Sequence, residues 1–265
     1  MFRHTAELYD MLYSFKDYAR EAERLRALVG ARVRTANVRL LDVACGTGAH
    51  LEQLRTSYSV EGIELDEGML AVARRRLSGV RLHQGDMLDF HLARRFDVVT
   101  CLFSSIGYVR SVPRLRQAVW NMAAHLAPGG ILIVEPWFFP KTYRPGRPSV
   151  LMAQRDEVAV ARACVAGIEG GVSVLAMHYL VATRGERVEQ FEERHELGLF
   201  IREEYESALI DCGLDVEFDA TGLTGRGLFI AKARVPALAR TTYLPRPERA
   251  ALRARRAAGL GLQVC

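Results

Sequence analysis

A glycine-rich turn between an apolar run and a helical segment is the feature that most constrains the fold of this chain. Residues 38–44 form the apolar run, Cys45-Gly46-Thr47-Gly48 is the turn, and a helical pattern begins at Ala49. Helical spacing over residues 17–34, 66–77 and 111–127 alternates with strands predicted at 38–44, 59–64, 80–83, 96–103 and 130–135. Strands that alternate with helices in this way predict βαβ units on a parallel sheet, and therefore an α/β fold.

The pattern changes after Pro136. Residues 149–199 show β-branched alternation interrupted by glycine turns, which predicts an antiparallel β insertion. A helix at 202–213 then leads into strands at 214–218 and 227–233, which predict a closing antiparallel hairpin at the sheet edge. The expected domain spans residues 1–233, and residues 234–265 form an Arg-rich C-terminal tail.

The basic balance of the chain comes from this tail. With 36 basic and 31 acidic residues the chain has a formal net charge of +5, but residues 234–265 alone hold seven arginines and one acid, Glu248. The rest of the chain is nearly neutral. We therefore expect no nucleic-acid-binding face on the folded domain.

Cysteine use and apolar patterning indicate the compartment. The five cysteines have no short C-x-x-C spacing, so we expect neither a disulfide framework nor a metal site. No apolar stretch of about 18 residues occurs, and the N-terminus lacks the apolar region of a secretory signal. The sequence therefore predicts a cytoplasmic protein with no membrane partner, and its 49% apolar residues suffice for a sizeable core.

The glycine turn follows the first strand, at the end of the sheet where open α/β folds bind ligands. A P-loop would need a lysine after the glycines, but Thr47, Gly48 and Ala49 follow Gly46. A dinucleotide fingerprint would need a third glycine where Leu51 stands. The turn therefore matches neither of these phosphate-binding motifs.

Three carboxylates lie at the ends of successive predicted strands and indicate a different ligand. Asp42, in the turn segment, would repel a pyrophosphate and attract an ammonium group. Glu64 ends the second strand, where a carboxylate can accept both ribose hydroxyls. Asp86 follows the third strand, where it can accept an adenine amino group, and Met87 adds an apolar surface for the ring. Together these residues predict a cationic amino acid joined to adenosine.

These segments together resemble the class I S-adenosylmethionine-dependent methyltransferases. The resemblance rests on residues 40–48 (Leu-Leu-Asp-Val-Ala-Cys-Gly-Thr-Gly), Glu64, Gly85-Asp86-Met87 and Leu126-Ala127-Pro128-Gly129-Gly130, in this order. It implies a Rossmann-like, mostly parallel sheet and S-adenosyl-L-methionine as cofactor. The cofactor contacts that it implies are Tyr13, Asp42, Ala44, Gly46, Gly48, Glu64, Leu65, Asp86, Met87 and Leu102.

Further motifs narrow the resemblance. Four segments are similar to the N,N-dimethyltransferases that act on nucleotide-linked amino deoxysugars in macrolide biosynthesis: Tyr9-Asp10-x-x-Tyr13, Phe103-Ser104-Ser105-Ile106-Gly107-Tyr108, Glu135-Pro136-Trp137-Phe138-Phe139-Pro140 and Gly225-Arg226-Gly227-Leu228-Phe229. This resemblance covers the chain to about residue 233. It implies a TDP-linked amino deoxysugar as substrate, methyl transfer to its amino group, and a homodimer.

The resemblance also implies two catalytic candidates, each with a plainer structural interpretation. Tyr13 is expected on an N-terminal helix that covers the cofactor, although an aromatic residue at helical spacing is commonly core. His125 is a candidate base near the sugar amine, although a histidine at a helix end also interacts favourably with the helix dipole.

Five residues are candidates for binding the substrate. Trp137 and Phe138 follow the fifth strand, where they face the substrate or simply pack. Arg226 lies in a glycine-flanked turn, which is expected to expose a guanidinium suited to phosphate. Arg162 and His178 belong to the insertion, which is expected to cover the sugar nucleotide.

Two other functions stay open at this point. One is methyl transfer to oxygen or carbon of another small natural product, which turnover of an aglycone but not of a TDP-amino sugar would favour. The other is a cofactor-binding module without catalysis that is tethered to nucleic acid by the tail. That module predicts salt-sensitive nucleic-acid affinity that is lost when residues 234–265 are deleted.

Overall fold

The computed structural model describes residues 5–233, and the predicted tail at 234–265 lies outside the described residues. The helices are α1 (Ala6–Leu12), α2 (Tyr18–Arg32), α3 (Ala49–Leu54), α4 (Glu67–Arg76), a 3₁₀ helix (Ser105–Val109), α5 (Val112–Ala124) and α6 (Arg202–Asp211). The strands are β1 (Arg39–Val43), β2 (Ser59–Glu64), β3 (Arg81–Gln84), β4 (Phe96–Cys101), β5 (Leu126–Val134), β6 (Pro148–Arg155), β7 (Val158–Glu169), β8 (Val172–Thr183), β9 (Glu189–Gly198), β10 (Leu214–Asp219) and β11 (Leu228–Ala233).

Seven strands form the main sheet, in the order β10-β11-β5-β4-β1-β2-β3. Strands β1 to β5 run parallel to one another, whereas β11 pairs antiparallel with β5 and with β10. This confirms the predicted mostly parallel α/β sheet with a closing antiparallel hairpin. The strand order switches direction at β1, between β2 and β4, where sheets of this kind form their ligand sites.

Helices cover both faces of this sheet, which explains why its central strands are apolar without alternation. Leu41, Val99 and Leu132 belong to the buried cluster under α5 and α6, and their neighbours Leu40, Val98 and Ile131 belong to the cluster under α2 and α3. None of the helices in residues 5–233 is long and apolar enough to cross a membrane.

A second, four-stranded sheet contains β6, β7, β8 and β9, all antiparallel, as the predicted fold class requires. Its inner face packs on helix α1, because Met11 and Leu12 join a buried cluster with Val160, Met177 and Tyr179. Helix α1 is therefore attached to the second sheet by apolar contacts.

Two details differ from the sequence-based expectation. Strand β5 begins at Leu126 rather than at Gly130, because Leu126 already pairs with Phe96 of β4. The β4–β5 register then shifts between Phe96 and Val98, and the pairing continues from Ile131. Gly130 allows this approach, since a Cβ there would lie 3.0 Å from the carbonyl oxygen of Asp97. The 3₁₀ helix after β4 was not predicted, because no apolar period signals so short an element.

The close packing of β2 generates the first prediction. A Cβ on Gly62 would lie 2.8 Å from Cys45 Sγ, 2.8 Å from Leu51 Cδ1 and 2.9 Å from Leu82 Cδ2. We expect Gly62→Ala to lower the free energy of unfolding by about 1–3 kcal/mol, the usual cost of overpacking, as measured by urea denaturation.

Gly167→Ala is the matched control, because Gly167 also lies in a strand but has no atom within 4 Å of an added Cβ. That variant should keep the wild-type stability or gain about 0.5 kcal/mol by restricting the unfolded chain. Equal losses in the two variants would show that packing at Gly62 is not the cause.

Candidate functional site

The glycine turn bends away from the sheet through three residues in the left-handed region. Ala44, Gly46 and Gly48 have φ angles of 59°, 57° and 77°. A Cβ on Gly46 would meet nothing within 4 Å, so open space borders the turn at this point. A Cβ on Gly48 would lie 2.5 Å from Leu77 Cδ1, so this glycine lets α3 start against the end of α4. Gly46 therefore leaves space for a ligand beside the turn, whereas Gly48 allows the close packing of α3 on α4.

Glu64 fixes the geometry between the turn and the end of β2. Its Oε2 accepts the Gly46 N–H at 2.8 Å, and its Oε1 accepts the Asp66 N–H at 2.8 Å. The side chain is buried, and this burial raises the pKa of the carboxyl group. Because each carboxylate oxygen can accept a second hydrogen bond, Glu64 retains capacity for two hydroxyl donors.

Asp42 places an acidic group at the bottom of the cleft beside the turn. Its Oδ1 accepts the Thr100 hydroxyl at 2.7 Å, and burial raises its pKa to about 6, although His50 and Thr100 both lower it. A desolvated carboxylate that is still largely ionised at neutral pH favours a cationic partner. The cleft is lined by Tyr9, Tyr18, Asp42, Ala44, Cys45, Thr47, Ala49, His50, Leu102, Phe103 and Ser105.

The ends of β2 and β3 provide an apolar surface next to Glu64. The Gly85 N–H donates to the Glu64 carbonyl at 3.1 Å, which holds the segment after β3 beside Glu64. Leu65 is 55% exposed, and Asp86 and Met87 are half-buried. The three residues expected to contact a purine are thus brought to one edge of the sheet.

A polar network fastens helix α1 over the turn. The Thr47 hydroxyl donates to Asp10 at 2.6 Å, while the Arg76 guanidinium donates to Asp10 at 2.5 Å and to the Thr47 carbonyl at 2.8 Å. Asp10 belongs to a sequence motif, but no sequence signal indicates Arg76. Nothing in the spacing could reveal this pair, because α1 and α4 meet only through the tertiary fold.

This attachment brings Tyr13 and Arg162 together at the cleft. Tyr13 follows the last residue of α1, and its ring lies 5.3 Å from the Phe103 ring, one of the cleft residues. Arg162, on β7, is 8% exposed and donates to the Tyr13 hydroxyl at 2.9 Å. The second sheet therefore reaches the cleft through a buried cation.

Arg226 adds a further cation beside Phe103. Its guanidinium carbon lies 5.6, 5.1 and 5.0 Å from the ring centroids of Phe103, Trp137 and Phe138. The expected exposed guanidinium is thus half-buried in an aromatic cage, and burial lowers its pKa. An arginine keeps its charge under such conditions, and no ion pair joins it to a carboxylate in the described range 5–233.

The structure does not bring His125 to the cleft. Its Nδ1 lies 2.8 Å from the Asn121 carbonyl, and its Nε2 accepts the Leu92 N–H at 3.0 Å, so both ring nitrogens bond to the backbone. The residue directly precedes β5 and thus lies at the sheet edge opposite the cleft. Burial lowers the pKa of His125, so a cation on the helix dipole is also disfavoured. Its role is to join α5 to the segment before β4.

The structure also does not bring His178 to the inner face of the second sheet. On β8 the flanking residues Met177 and Tyr179 are buried on the inner face, so alternation turns His178 to the outer face. There its Nδ1 lies 2.9 Å from Glu192 Oε1, and the residue is exposed.

Comparison with known proteins agrees with this geometry. A family profile described as "Methyltransferase domain" matches residues 40–130. The dTDP-3-amino-3,6-dideoxy-alpha-D-glucopyranose N,N-dimethyltransferase of Streptomyces fradiae is 46% identical over 227 residues, which cover 84% of this chain and 89% of that one. The dTDP-3-amino-3,4,6-trideoxy-alpha-D-glucopyranose N,N-dimethyltransferase of Streptomyces venezuelae is 44% identical and covers 85% and 96%.

Solved structures show the same architecture. The crystal structure of Streptomyces venezuelae DesVI superposes with a TM-score of 0.81 at 44% identity, covering 85% of this chain and 97% of that chain. The S-adenosylmethionine-bound structure of CalS10, an amino pentose methyltransferase from Micromonospora echinaspora, gives 0.76 at 41% identity, covering 85% and 96%. An open glycine turn, an anchored carboxylate with spare acceptor capacity and a buried acid fit that cofactor. The chain belongs to the class I S-adenosylmethionine-dependent methyltransferases, in the family of the dTDP-amino-deoxysugar N,N-dimethyltransferases.

Proposed function

We propose that this protein transfers methyl groups from S-adenosyl-L-methionine to the amino group of a TDP-linked amino deoxysugar, twice, to give an N,N-dimethylated product in antibiotic biosynthesis. The observation that carries this proposal is the presence of two opposite charges at one cleft. Asp42 lines the cleft and offers a buried negative charge beside the glycine turn, and Arg226 offers a positive charge beside Phe103, which lines the same cleft. A cationic methyl donor and an anionic sugar nucleotide match these two charges.

The cofactor side is assigned to residues around the turn. Bound S-adenosyl-L-methionine supplies a methyl group activated on a sulfonium. Glu64 accepts the ribose hydroxyls with its free lone pairs, and Asp42 attracts the cationic amino-acid end. Leu65 and Met87 cover the adenine ring, and Asp86 accepts its amino group. The contacts with Tyr13, Ala44, Gly46, Gly48 and Leu102 that the family resemblance implies are part of the same proposal.

The substrate side is assigned to the aromatic cage and the second sheet. Arg226 binds the diphosphate, because a planar guanidinium matches phosphate oxygens and here donates to the Ser104 hydroxyl at 3.2 Å and forms no ion pair with a carboxylate in the described part of the chain. Trp137 and Phe138 hold the guanidinium and face the sugar. Tyr13 and the buried Arg162 close the cleft from the side of α1. Methyl transfer to an amine needs mainly alignment of nitrogen and methyl carbon, which such a closed cleft provides.

We also propose a homodimer, which the family resemblance implies, and a cytoplasmic location, which cysteine use and apolar patterning predict. The second sheet exposes large apolar side chains, among them Val150 at 61% and Met152 at 78% on strand β6, and such surfaces favour association. Cys45, Cys101, Cys164 and Cys212 are buried free thiols, which suits a reducing compartment.

Removing the Glu64 carboxylate should abolish most of the cofactor affinity. We expect Glu64→Ala to weaken S-adenosyl-L-methionine binding about 100-fold, because hydrogen bonds to a charged group contribute about 1.5–3 kcal/mol each. Calorimetric titration measures the loss. Glu67→Ala is the control, because Glu67 is exposed at the start of α4. This variant should bind S-adenosyl-L-methionine with wild-type affinity. A Glu64→Ala protein with wild-type affinity would contradict the ribose assignment.

The pKa of Asp42 predicts a conflict between stability and binding. A carboxyl whose pKa is raised from 3.8 to about 6 destabilises the folded state as pH rises through this window, by about 3 kcal/mol when complete. Asp42→Asn should therefore unfold at higher urea concentration than wild type at pH 7 without cofactor, with no difference below about pH 4. It should also bind S-adenosyl-L-methionine more weakly, because the negative charge is gone.

Asp89→Asn is the control, because Asp89 is exposed, and this variant should change neither stability nor cofactor affinity. An Asp42→Asn protein that is no more stable than wild type at pH 7 would refute the prediction.

Mass spectrometry with dTDP-amino-deoxysugars tests the proposed reaction directly. The protein should consume S-adenosyl-L-methionine and give products with one and then two added methyl groups. Arg226→Ala should raise KM for the sugar nucleotide about 10- to 100-fold, because a charge-assisted contact to phosphate is lost. Turnover of an aglycone alone would instead favour another natural-product methyltransferase. Cofactor binding with no turnover of any amine would favour a non-catalytic module.

A further inference from the structure

The 3₁₀ helix after β4 carries a tyrosine, Tyr108, three residues after a residue that lines the cleft. Ser105, its first residue, lines the cleft beside the glycine turn. In a 3₁₀ helix, side chains three residues apart lie on the same side, so Tyr108 follows Ser105 on the cleft side. Burial, followed by the nearby Tyr13 phenol and Glu193 carboxylate, raises the pKa of Tyr108 well above its usual range. Tyr108 therefore stays neutral and serves as both hydrogen-bond donor and acceptor.

A buried hydrogen-bonded chain continues from Tyr108 into the second sheet. The Tyr108 hydroxyl lies 2.8 Å from His195 Nδ1, and His195 Nε2 lies 3.2 Å from Glu193 Oε2. Both Glu193 oxygens accept the Thr5 hydroxyl at 2.9 Å. His195 and Glu193 are 2% and 7% exposed. The side chains of Tyr108, His195 and Glu193 thus form a hydrogen-bonded series. Tyr108 is half-buried, whereas the other two are buried.

We propose that Tyr108, His195 and Glu193 form a proton relay that removes the proton from the substrate amine, so that the amine is neutral for both methyl transfers. This inference rests on the proposed function, since it concerns the amine of that substrate. Tyr108 is the catalytic residue of the relay, and His195 and Glu193 are positioning residues that act through it.

Dimethylation explains why such a relay is needed. In each transfer the amine nitrogen forms a bond to the methyl carbon while the carbon–sulfur bond breaks, and that electron pair goes to sulfur. The methylated product is then an ammonium ion, which has no lone pair for a second attack. Its N–H proton passes to the Tyr108 oxygen as the Tyr108 hydroxyl proton passes to His195 Nδ1. The resulting imidazolium is stabilised by the Glu193 carboxylate, and the proton leaves by the reverse path when the site reopens to solvent.

The charges around the relay favour this direction. Glu193 and the more distant Glu64 contribute negative charge to the surroundings of Tyr108, and burial raises the pKa values of Tyr9 and Tyr179 well above their usual range, so these two phenols are neutral. The buried Arg162 donates to the Tyr13 hydroxyl rather than to His195. Arg194 and Glu196, the neighbours of His195 on β9, bond to each other and to Arg110 and Glu169 on the exposed side.

Tyr108→Phe tests the relay because it removes the transferring oxygen and keeps the ring. At pH 7 we expect the second methyl transfer to slow about 100-fold, the usual range of general base catalysis, so that monomethylated product accumulates. At about pH 9, where an amine with an ordinary α-amino pKa is neutral in water, the rate should return toward wild type. His195→Gln should show the same pH profile. Tyr58→Phe, which removes a hydroxyl from a tyrosine packed on the α2–α3 side, should leave the profile unchanged.

A second readout does not depend on turnover. Nitrogen NMR of protein with isotopically labelled histidine should show His195 protonated on Nε2 and accepting a hydrogen bond on Nδ1, and Tyr108→Phe should shift the Nδ1 signal.

Three results would overturn the relay. The first is a Tyr108→Phe protein that dimethylates the substrate at the wild-type rate. The second is a Tyr108→Phe protein whose rate falls by the same factor at every pH, because that result indicates a structural role. The third is a His195 side chain that is protonated on Nδ1. A wild-type protein that methylates no amino-sugar nucleotide overturns the proposed function as well, which distinguishes the two failures.

Discussion

The hydrogen bond from the Gly46 N–H to the Glu64 carboxylate is the interaction on which the rest of the site depends. It joins the turn after β1 to the end of β2, and the second oxygen of Glu64 holds the start of the segment leading to α4. The buried carboxylate is thereby fixed between two strand ends with acceptor capacity left over. A rigid acceptor at this position lets the parallel sheet hold a nucleoside without a phosphate-binding motif.

The second sheet completes the cleft that the first sheet begins. Helix α1 is bonded to the turn through Asp10, Thr47 and Arg76, and its other side packs on strands β7 and β8. Arg162 on β7 bonds to Tyr13, directly after this helix, and His195 on β9 bonds to Tyr108, three residues after the cleft residue Ser105. Buried polar groups that are far apart in sequence are therefore brought near the cleft that Asp42 lines, and burial makes their electrostatic contacts stronger than in water.

The predicted site residues that the structure brings to the cleft differ in a physical way from those that it places elsewhere. Glu64 and Gly46 were predictable because parallel strands end at one edge, so residues directly after them must meet there. His125 was assigned by resemblance, but it precedes a strand and therefore lies at the other edge, with both nitrogens bonded to backbone. His178 was assigned to the right sheet, yet strand alternation places it on the outer face beside Glu192. Position along a strand and face of a strand are the two facts that these assignments lacked.

The sequence by itself determined the α/β class, the antiparallel second sheet and the cation-favouring turn, because period, glycine placement and the carboxylates are local features. Its motifs also determined the methyltransferase family. Only the tertiary structure decided that Arg226 lies in a cage of three rings instead of an exposed turn, that Arg76 fastens α1, and that Tyr108 meets His195. These contacts join residues from different elements, and their geometry depends on how helices and sheets pack, which no local pattern encodes.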